Sequence, residues 1–299
     1  MSGSLELLSQ DLAGLVEAVS PSLVRVEGRR RLPASGVVWS EDGLIVTAHH
    51  VIQREQGIRV GLADGASLEA DLLGRDPATD LAVLKVGSDD LPRPEWQPTE
   101  SLRVGHIVLA LGRPHQQPQA TLGVVSALSG SWRTPVGGEV SQYLQTDVVM
   151  YPGFSGGPLV GAGGSIYGLN SSGLLLGVSL TLPTETIDKV VKDLVDHGRI
   201  RRAFLGVAAQ PAELPDAIAQ ELNRSTGLLL VSVEEGSPAD EAGLTLGDTL
   251  IAFDNQPLKS LDDLLRQLSG QNIGKEINLK LLRAGEVIDK AVTIGERPE

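Results

Sequence analysis

Residues 152–158 read Pro-Gly-Phe-Ser-Gly-Gly-Pro, and the apolar pair Leu159-Val160 follows directly. Glycines on both sides of Ser155 let the chain bend so that backbone N–H groups converge near the serine hydroxyl. Such a run can be a plain turn, the nucleophile elbow of an α/β-hydrolase or the nucleophile loop of a protease. The hydrolase elbow leads into a helix, whereas Pro158-Leu159-Val160 predicts a strand.

The order of the potential partners of Ser155 separates these alternatives. A serine hydroxyl needs a base to take its proton, and the base needs a carboxylate to orient it. In α/β-hydrolases the acid and the histidine follow the serine. Here the one histidine after Ser155 is His197, which lies near the end of a predicted helix. The adjacent histidines His49 and His50 and several aspartates, among them Asp76 and Asp80, precede Ser155. The order histidine, aspartate, serine is that of chymotrypsin-like double barrels.

The segments around these residues predict short strands. The 299 residues include 35 glycines and only nine aromatic residues, three each of Phe, Trp and Tyr, a balance typical of strands joined by turns. A loop with Pro92, Pro94 and Pro98 separates two sets of runs. A mainly β body of two small barrels is therefore expected, with strands near 24–26, 36–39, 44–47, 58–60 and 81–86, then near 106–109, 123–125 and 177–182.

Helical patterns and turns divide the chain into four segments. Leucines and valines at helical spacing precede Pro21, a second amphipathic stripe ends at Gly198, and Ser260 can cap a helix farther on. We predict an N-terminal helix over 1–20 and a two-barrel domain over 21–183, with barrels at about 21–95 and 100–183. A linker helix over 184–200 and a separate module over 201–299 follow.

Composition excludes several classes of function. The formal net charge of −13 and the absence of a basic patch argue against a nucleic-acid partner. Without cysteine there are no disulfides, thiolate metal sites or cysteine nucleophiles, and no metal or cofactor is predicted. The first residues lack a basic segment followed by an apolar run, and no stretch is long enough to span a bilayer. We therefore expect neither a signal peptide nor a transmembrane segment.

Three motifs carry a resemblance to a known family. Residues 47–51, Thr-Ala-His-His-Val, are similar to Thr-Asn-x-His-Val, and residues 76–85 to Asp-x-x-x-Asp-Leu-Ala-Val-Leu-Lys. Residues 145–147 and 152–159 resemble Gln-Thr-Asp followed by Pro-Gly-Asn-Ser-Gly-Gly-Pro-Leu. These are motifs of the HtrA/Deg family of trypsin-like serine proteases with a C-terminal PDZ domain. The resemblance implies a mainly β fold: a chymotrypsin-like double six-stranded β-barrel followed by a PDZ domain, an α+β sandwich.

The resemblance also assigns candidate site residues. His50, Asp80 and Ser155 would form the catalytic triad, and the backbone N–H groups of Gly153 and Ser155 would form the oxyanion hole. Val149 stands six residues before the nucleophile, where trypsin carries an aspartate, so we expect no cleavage after Lys or Arg. The run 177–183 resembles the family's pocket strand, so Val149, Ser179 and Leu180 predict an apolar pocket for Val, Leu, Ile or Ala.

The C-terminal module resembles a PDZ domain of this family. Residues 236–248 and 254–257 match its turns. The expected carboxylate-binding loop consists of Phe204, Leu205, Gly206 and Val207, whose backbone N–H groups would receive the terminal carboxylate of a peptide.

The resemblance implies a serine endopeptidase that acts on unfolded or misfolded proteins in protein quality control. Its partners would be peptide substrates, C-terminal peptide ligands of the PDZ domain and further copies of the chain, as a trimer. It implies a periplasmic or cell-envelope location, with the cytoplasm as the alternative. Ala48 and Phe154 stand where the family has Asn. They motivate a second hypothesis, a PDZ-containing chaperone or peptide-binding scaffold with a weak or inactive protease domain.

Overall fold

The computed structural model describes residues 3–175, 177–222, 224–268 and 270–297. The chain divides into two compact units, Met1–Ile200 and Arg201–Glu299. In the described part of the chain, no helix is both long and apolar enough to cross a membrane.

Unit 1 begins with α1 (Ser4–Val19), which a 3-10 turn containing Pro21 ends. Leu12, Leu15 and Val16 of α1 pack against the core, whereas Leu5, Leu7 and Leu8 are exposed. A closed antiparallel barrel follows, with strand order β1-β2-β3-β6-β5-β4. Its strands are β1 (Leu23–Glu27), β2 (Ala34–Val38), β3 (Leu44–Ala48), β4 (Ile58–Gly61), β5 (Ser67–Asp76) and β6 (Leu81–Val86).

A second closed barrel has the strand order β11-β14-β13-β12-β7-β8. The strand predicted directly after Ser155 is β12, which confirms that no helix follows the serine. The predicted mainly β fold with two six-stranded barrels is also confirmed. The barrel strands are β7 (Ile107–Gly112), β8 (Gln119–Ser129), β11 (Tyr143–Thr146), β12 (Pro158–Gly161), β13 (Ile166–Ser171) and β14 (Leu180–Pro183). β9 (Trp132–Arg133) and β10 (Glu139–Val140), between β8 and β11 in the chain, form a separate two-stranded sheet.

α2 (Thr184–His197) closes unit 1. Its apolar stripe buries Ile187, Val190, Val191 and Leu194 in a core cluster that also contains residues of both barrels. Gly198 ends the helix in the left-handed conformation, with φ of 70°, which a residue without Cβ adopts at no steric cost.

Unit 2 is built on a sheet with strand order β16-β17-β18-β20-β21, so β16 and β21 are its edges. A two-stranded pair and three helices surround it. Its elements are β15 (Ala203–Phe204), β16 (Val207–Glu213), α3 (Asp216–Glu221), β17 (Thr226–Val233), α4 (Pro238–Glu241), β18 (Thr249–Phe253), β19 (Gln256–Pro257), α5 (Leu261–Gln267), β20 (Glu276–Arg283), β21 (Glu286–Thr293) and β22 (Gly295–Glu296).

Candidate active site

The first barrel brings His50 and Asp80 together. β3 and β6 pair with Ala48 opposite Leu81, so the residues just beyond that pair are neighbours. His50 Nδ1 lies 2.8 Å from Asp80 Oδ2 and 3.0 Å from Oδ1, and the His50 amide donates to Oδ1 at 2.9 Å. The His49 amide donates to the Asp80 carbonyl at 2.9 Å. These bonds fix the imidazole with Nδ1 toward the carboxylate, and Nε2 has no hydrogen-bond partner among the described residues.

Asp80 lies in a nearly closed environment. It is 6% exposed and adopts a φ of 58°, in the left-handed region. Burial raises the pKa of its carboxyl, but the hydrogen bonds and charge of His50, with the Ser171 hydroxyl, outweigh burial and hold the pKa below its usual value. Asp76 caps the turn before it by accepting from the Ala78 and Thr79 amides.

Ser171 is a further site residue, and the motifs gave no sign of it. Its hydroxyl donates to Asp80 Oδ2 and accepts from the Gly173 amide at 2.9 Å. It ends β13 in the second barrel, 91 residues from Asp80 in the sequence. The carboxylate of the first barrel is therefore held partly by the second barrel.

The loop 153–157 leaves two of its five amides without an acceptor. The Phe154, Gly156 and Gly157 amides donate to Tyr151, Asn170 and Phe154 carbonyls. Among the described residues, no acceptor receives the N–H of Gly153 or of Ser155. Gly153 has φ of 96° and Gly156 has φ of 85°, conformations that glycine adopts without a steric cost. Two free N–H groups beside a serine hydroxyl can stabilise an oxyanion.

Ser35 of β2 joins this loop to the first barrel. Its hydroxyl donates to the Gly153 carbonyl at 2.7 Å and accepts from the Arg113 amide at 2.7 Å. Its own amide donates to the Ser155 carbonyl at 3.2 Å. A Cβ at Gly156 would lie 2.2 Å from the Ser35 carbonyl oxygen, so the two segments touch through their backbones.

Ser155 is 7% exposed, and its hydroxyl pairs with another serine. Ser155 Oγ lies 3.0 Å from Ser172 Oγ, and the Ser172 amide points to it at 3.4 Å. No hydrogen bond joins Ser155 Oγ to His50 within the described ranges. The structure thus assembles the His50–Asp80 pair and the loop with its free amides, but not the third contact of a triad.

The bulky Phe154 side chain does not enter the site. It is fully buried in the core of the second barrel, beside Leu159 and Val108, with the ring of Tyr151 edge-on at 5.8 Å. Gly112 of β7 makes room for it, because a Cβ there would lie 2.7 Å from the ring. The buried Phe154 side chain therefore holds the loop 153–157 against the core of the second barrel.

The three predicted pocket residues have different environments. Val149 is 55% exposed, and Ser179 is half-buried with its hydroxyl on the Val148 carbonyl at 3.0 Å. Leu180 is 1% exposed and packs in the core cluster shared by the barrels. A cavity of about 610 Å³ lies beside the loop, lined by Leu32, Pro114, His115, Gln119, Ala120, Tyr151 and Pro152.

The predicted carboxylate loop of unit 2 runs from Phe204, the last residue of β15, to Val207, the first residue of the edge strand β16. Leu205 is buried, and Gly206 has φ of 81°, with a position for Cβ that Ser237 occupies. The Leu205 and Gly206 carbonyls accept from Ala239 and Glu234 amides. Their own amides find no acceptor among the residues described. In the same residues, no group of three or more His, Cys, Asp or Glu side chains could hold a metal ion.

Comparisons with known proteins match both units. Residues 34–169 match the family model of the trypsin-like peptidase domain, and residues 203–294 match that of the PDZ domain. Over 280 residues, the chain is 34% identical to a probable periplasmic serine endoprotease DegP-like of Chlamydia trachomatis serovar D. A protein of the same description from Halomonas elongata is 36% identical over 276 residues. The alignments cover 92% and 90% of this chain but only 56% and 58% of these relatives.

Solved structures match over nearly the whole chain. A serine endoprotease from Yersinia pestis has a TM-score of 0.79 and 31% identity, and the match covers 96% of this chain and 98% of that one. The HtrA-type protease AlgW with a tripeptide has a TM-score of 0.79 and 30% identity, and covers 96% and 97%.

Proposed function

Because the chain belongs to the HtrA family of trypsin-like serine proteases with one PDZ domain, we propose that it is a serine endopeptidase of unfolded or misfolded proteins. The observation that carries this proposal is the His50–Asp80 pair next to a serine loop with two free amides. Acyl transfer to a serine requires a base that a carboxylate orients and two N–H donors that are free to bind the oxyanion.

The proposed triad is His50, Asp80 and Ser155. Asp80 holds the Nδ1 proton of His50, so Nε2 accepts the Ser155 proton while Oγ attacks the scissile carbonyl carbon. The amides of Gly153 and Ser155 donate to the carbonyl oxygen as it becomes negative. The imidazolium then protonates the leaving amine, and the C–N bond breaks. Water then attacks the acyl carbonyl carbon while His50 takes its proton, and His50 returns this proton to Ser155 Oγ as the ester C–O bond breaks and the acid leaves. Before the first step, Ser155 Oγ must leave Ser172 and turn to His50.

Labelling with a fluorophosphonate tests this role of the serine. We expect covalent labelling of the intact chain and cleavage of an unfolded protein such as reduced casein, both lost in Ser155→Ala. A folded chain that takes no label and cleaves nothing, even with a C-terminal peptide present, would contradict the proposal. That result would favour the peptide-binding scaffold instead.

We further propose an apolar pocket for the residue before the scissile bond. The exposed Val149 supports it, because no carboxylate at that position can pair with Lys or Arg. Ser179 and Leu180 would form the adjacent wall, which requires Leu180 to turn out of the core cluster in which it is 1% exposed. Cleavage sites in casein, read by mass spectrometry, should follow Val, Leu, Ile or Ala. A majority of cuts after Lys or Arg would overturn this assignment.

PDZ-mediated binding of substrate or activator C-termini is proposed for unit 2. The free amides of Leu205 and Gly206 support it, since successive backbone N–H groups can bind a terminal carboxylate. Binding should be lost when the peptide ends in an amide instead of a carboxylate.

A homotrimer and a periplasmic location complete the proposal. The exposed side chains of Leu5, Leu7 and Leu8 on α1, at 82%, 51% and 43%, support self-association because they leave large apolar groups uncovered. Light scattering should give three times the 31.5 kDa mass. The descriptions of the relatives as periplasmic support the location. Detection in the osmotic-shock fraction of the native cell tests it.

A further inference from the structure

The edge strand β16 has a free side whose backbone groups can be identified. It pairs with β17 only, within the described residues. The Leu230 amide donates to the Asp248 carbonyl, and the Leu230 carbonyl accepts from Gly247, so both groups point away from β16. Ala209 lies opposite Leu230. Its N–H and C=O therefore point away from β17 and toward the free edge.

The same alternation determines the direction of Pro211. Leu228 is opposite Pro211 and two residues from Leu230, so the nitrogen of Pro211 also faces the free edge. Proline has a ring Cδ there instead of a hydrogen. At the start of the strand, the Glu234 amide donates to the Gly206 carbonyl, which gives Val207 the orientation of Ala209. The edge thus offers N–H groups at Val207 and Ala209 and none at Pro211.

We infer that Pro211 ends the usable edge of β16, so that unit 2 recognises only the last three or four residues of a C-terminal peptide. This inference rests on the proposed binding of a carboxylate by the loop 204–207. An antiparallel ligand would begin opposite Val207, and its residue two places before the C-terminus would pair with Ala209 through both N–H and C=O. The residue four places before the C-terminus would meet Pro211.

At Pro211 the ligand carbonyl finds no donor, and the ring Cδ keeps a second strand from approaching. Val207, Leu264 and Leu268 belong to one apolar cluster, and α5 contacts β16, which favours an apolar last residue in the ligand. The ligand class is therefore a short apolar C-terminus, with little contribution from the sequence upstream of it.

Calorimetry on the full chain with Ser155→Ala, which cannot cut the ligand, tests the inference. The probes are Ser-Tyr-Val-Val and the same sequence preceded by Thr-Val-Thr, both with free termini. We expect Kd values within about twofold of each other. One added amide hydrogen bond is worth about two- to tenfold in affinity. Adding Pro211→Ala should therefore tighten the longer peptide by that factor and leave the shorter one unchanged.

Two control variants accompany this measurement. Ala209→Pro should weaken both peptides, because it removes a donor that both use. Glu213→Ala, in the same strand beyond the proposed contact, should change neither. Two results would overturn the inference while leaving peptide binding intact. One is a gain in affinity of more than fivefold when the peptide is lengthened and Pro211 is unchanged. The other is an equal effect of Pro211→Ala on the affinities of both peptides. Binding of neither peptide would instead contradict the proposed PDZ function, and the inference with it.

Discussion

The hydroxyl of Ser155 is hydrogen-bonded to the hydroxyl of Ser172 at 3.0 Å, while His50 has its Nδ1 on Asp80 and no bond to the serine in the described structure. The bond to Ser172 competes with the one that general-base catalysis needs. Removing it should favour the reactive position by about the free energy of one hydrogen bond, 0.5–1.5 kcal/mol. We predict that Ser172→Ala labels with fluorophosphonate about two- to tenfold faster than the parent. Ser172→Thr, which keeps a hydroxyl, should not. Slower labelling of Ser172→Ala would show that the contact assists catalysis.

Asp80→Asn should lower kcat by about 10⁴. The amide cannot hold the Nδ1 proton as the carboxylate does, so the tautomer with a basic Nε2 loses its support. The affinity for a C-terminal peptide, measured on the same preparation, serves as the control because unit 2 is untouched. A loss of only a few-fold would remove Asp80 from the proposed triad.

Ser35→Ala should lower kcat by about 10- to 100-fold with little change in KM. The substitution removes the donor to the Gly153 carbonyl and the acceptor of the Arg113 amide, both buried, at a cost of about 1–3 kcal/mol. Steady-state kinetics on a peptide substrate checks it. The matched control is Ser67→Ala on β5, whose hydroxyl only accepts from the exposed Arg59. An increase confined to KM would argue against a role in positioning the loop.

Phe154→Ala should lower the free energy of unfolding of unit 1 by about 3–5 kcal/mol, because it leaves a cavity in the core of the second barrel. Tyr151→Ala removes the ring that packs edge-on against Phe154, but its 54% exposure predicts a smaller loss. Urea unfolding followed by near-ultraviolet circular dichroism compares the two. Equal losses would show that Phe154 is not the anchor of the loop.

Unit 2 should lose a specific contribution to its stability in acid. Burial raises the pKa of the Asp248 carboxyl, but two hydrogen bonds from Arg283 at 2.7 Å and one from the Thr245 amide outweigh it, so this pKa lies below its usual value. A carboxyl whose pKa is lower in the folded state than its unfolded value of about 3.9 stabilises the fold above that pH. This contribution is lost as the pH falls through the folded-state pKa.

Asp248→Asn cannot ionise, so it should lower the free energy of unfolding at pH 7 by about 1–3 kcal/mol. Its stability should also fall less steeply than that of the parent between about pH 5 and pH 3. Hydrogen exchange of amides in 201–299 measures this, with the exposed Asp216→Asn as control. Parallel pH profiles for the parent and Asp248→Asn would contradict the assignment.

Local patterns predicted the two barrels, and the resemblance to the family motifs gave the candidate triad, but the sequence did not predict β5. The segment Ser67–Asp76 contains no β-branched residue, and its three leucines, one alanine and one glutamate are better helix formers than strand formers. Pairing with β4 on one side and β6 on the other makes it a strand, with a bulge between Leu72 and Gly74. Long-range pairing overrides local preference here.

The contacts that support the site were equally out of reach of the motifs. Ser35 and Gly153 are 118 residues apart, and Ser171 and Asp80 are 91 apart. Ser35 and Ser171 each stand in a strand without a motif around them, and their contacts form only when the two barrels pack together. Phe154 differs from the family motif, and its sequence position does not show that the side chain turns into the core beside Gly112.

Because Ser35 of the first barrel holds the loop 153–157, the order in which the two barrels fold determines when the active site is complete. During synthesis the first barrel emerges before the residues that carry the nucleophile, and domains tend to form in that direction. A chain in which only one barrel has folded lacks the anchor for Gly153 and the Ser171 contact to Asp80. We expect such a half-folded molecule to be inactive toward its own unfolded segments, although these are the kind of chain that we propose the finished enzyme cuts.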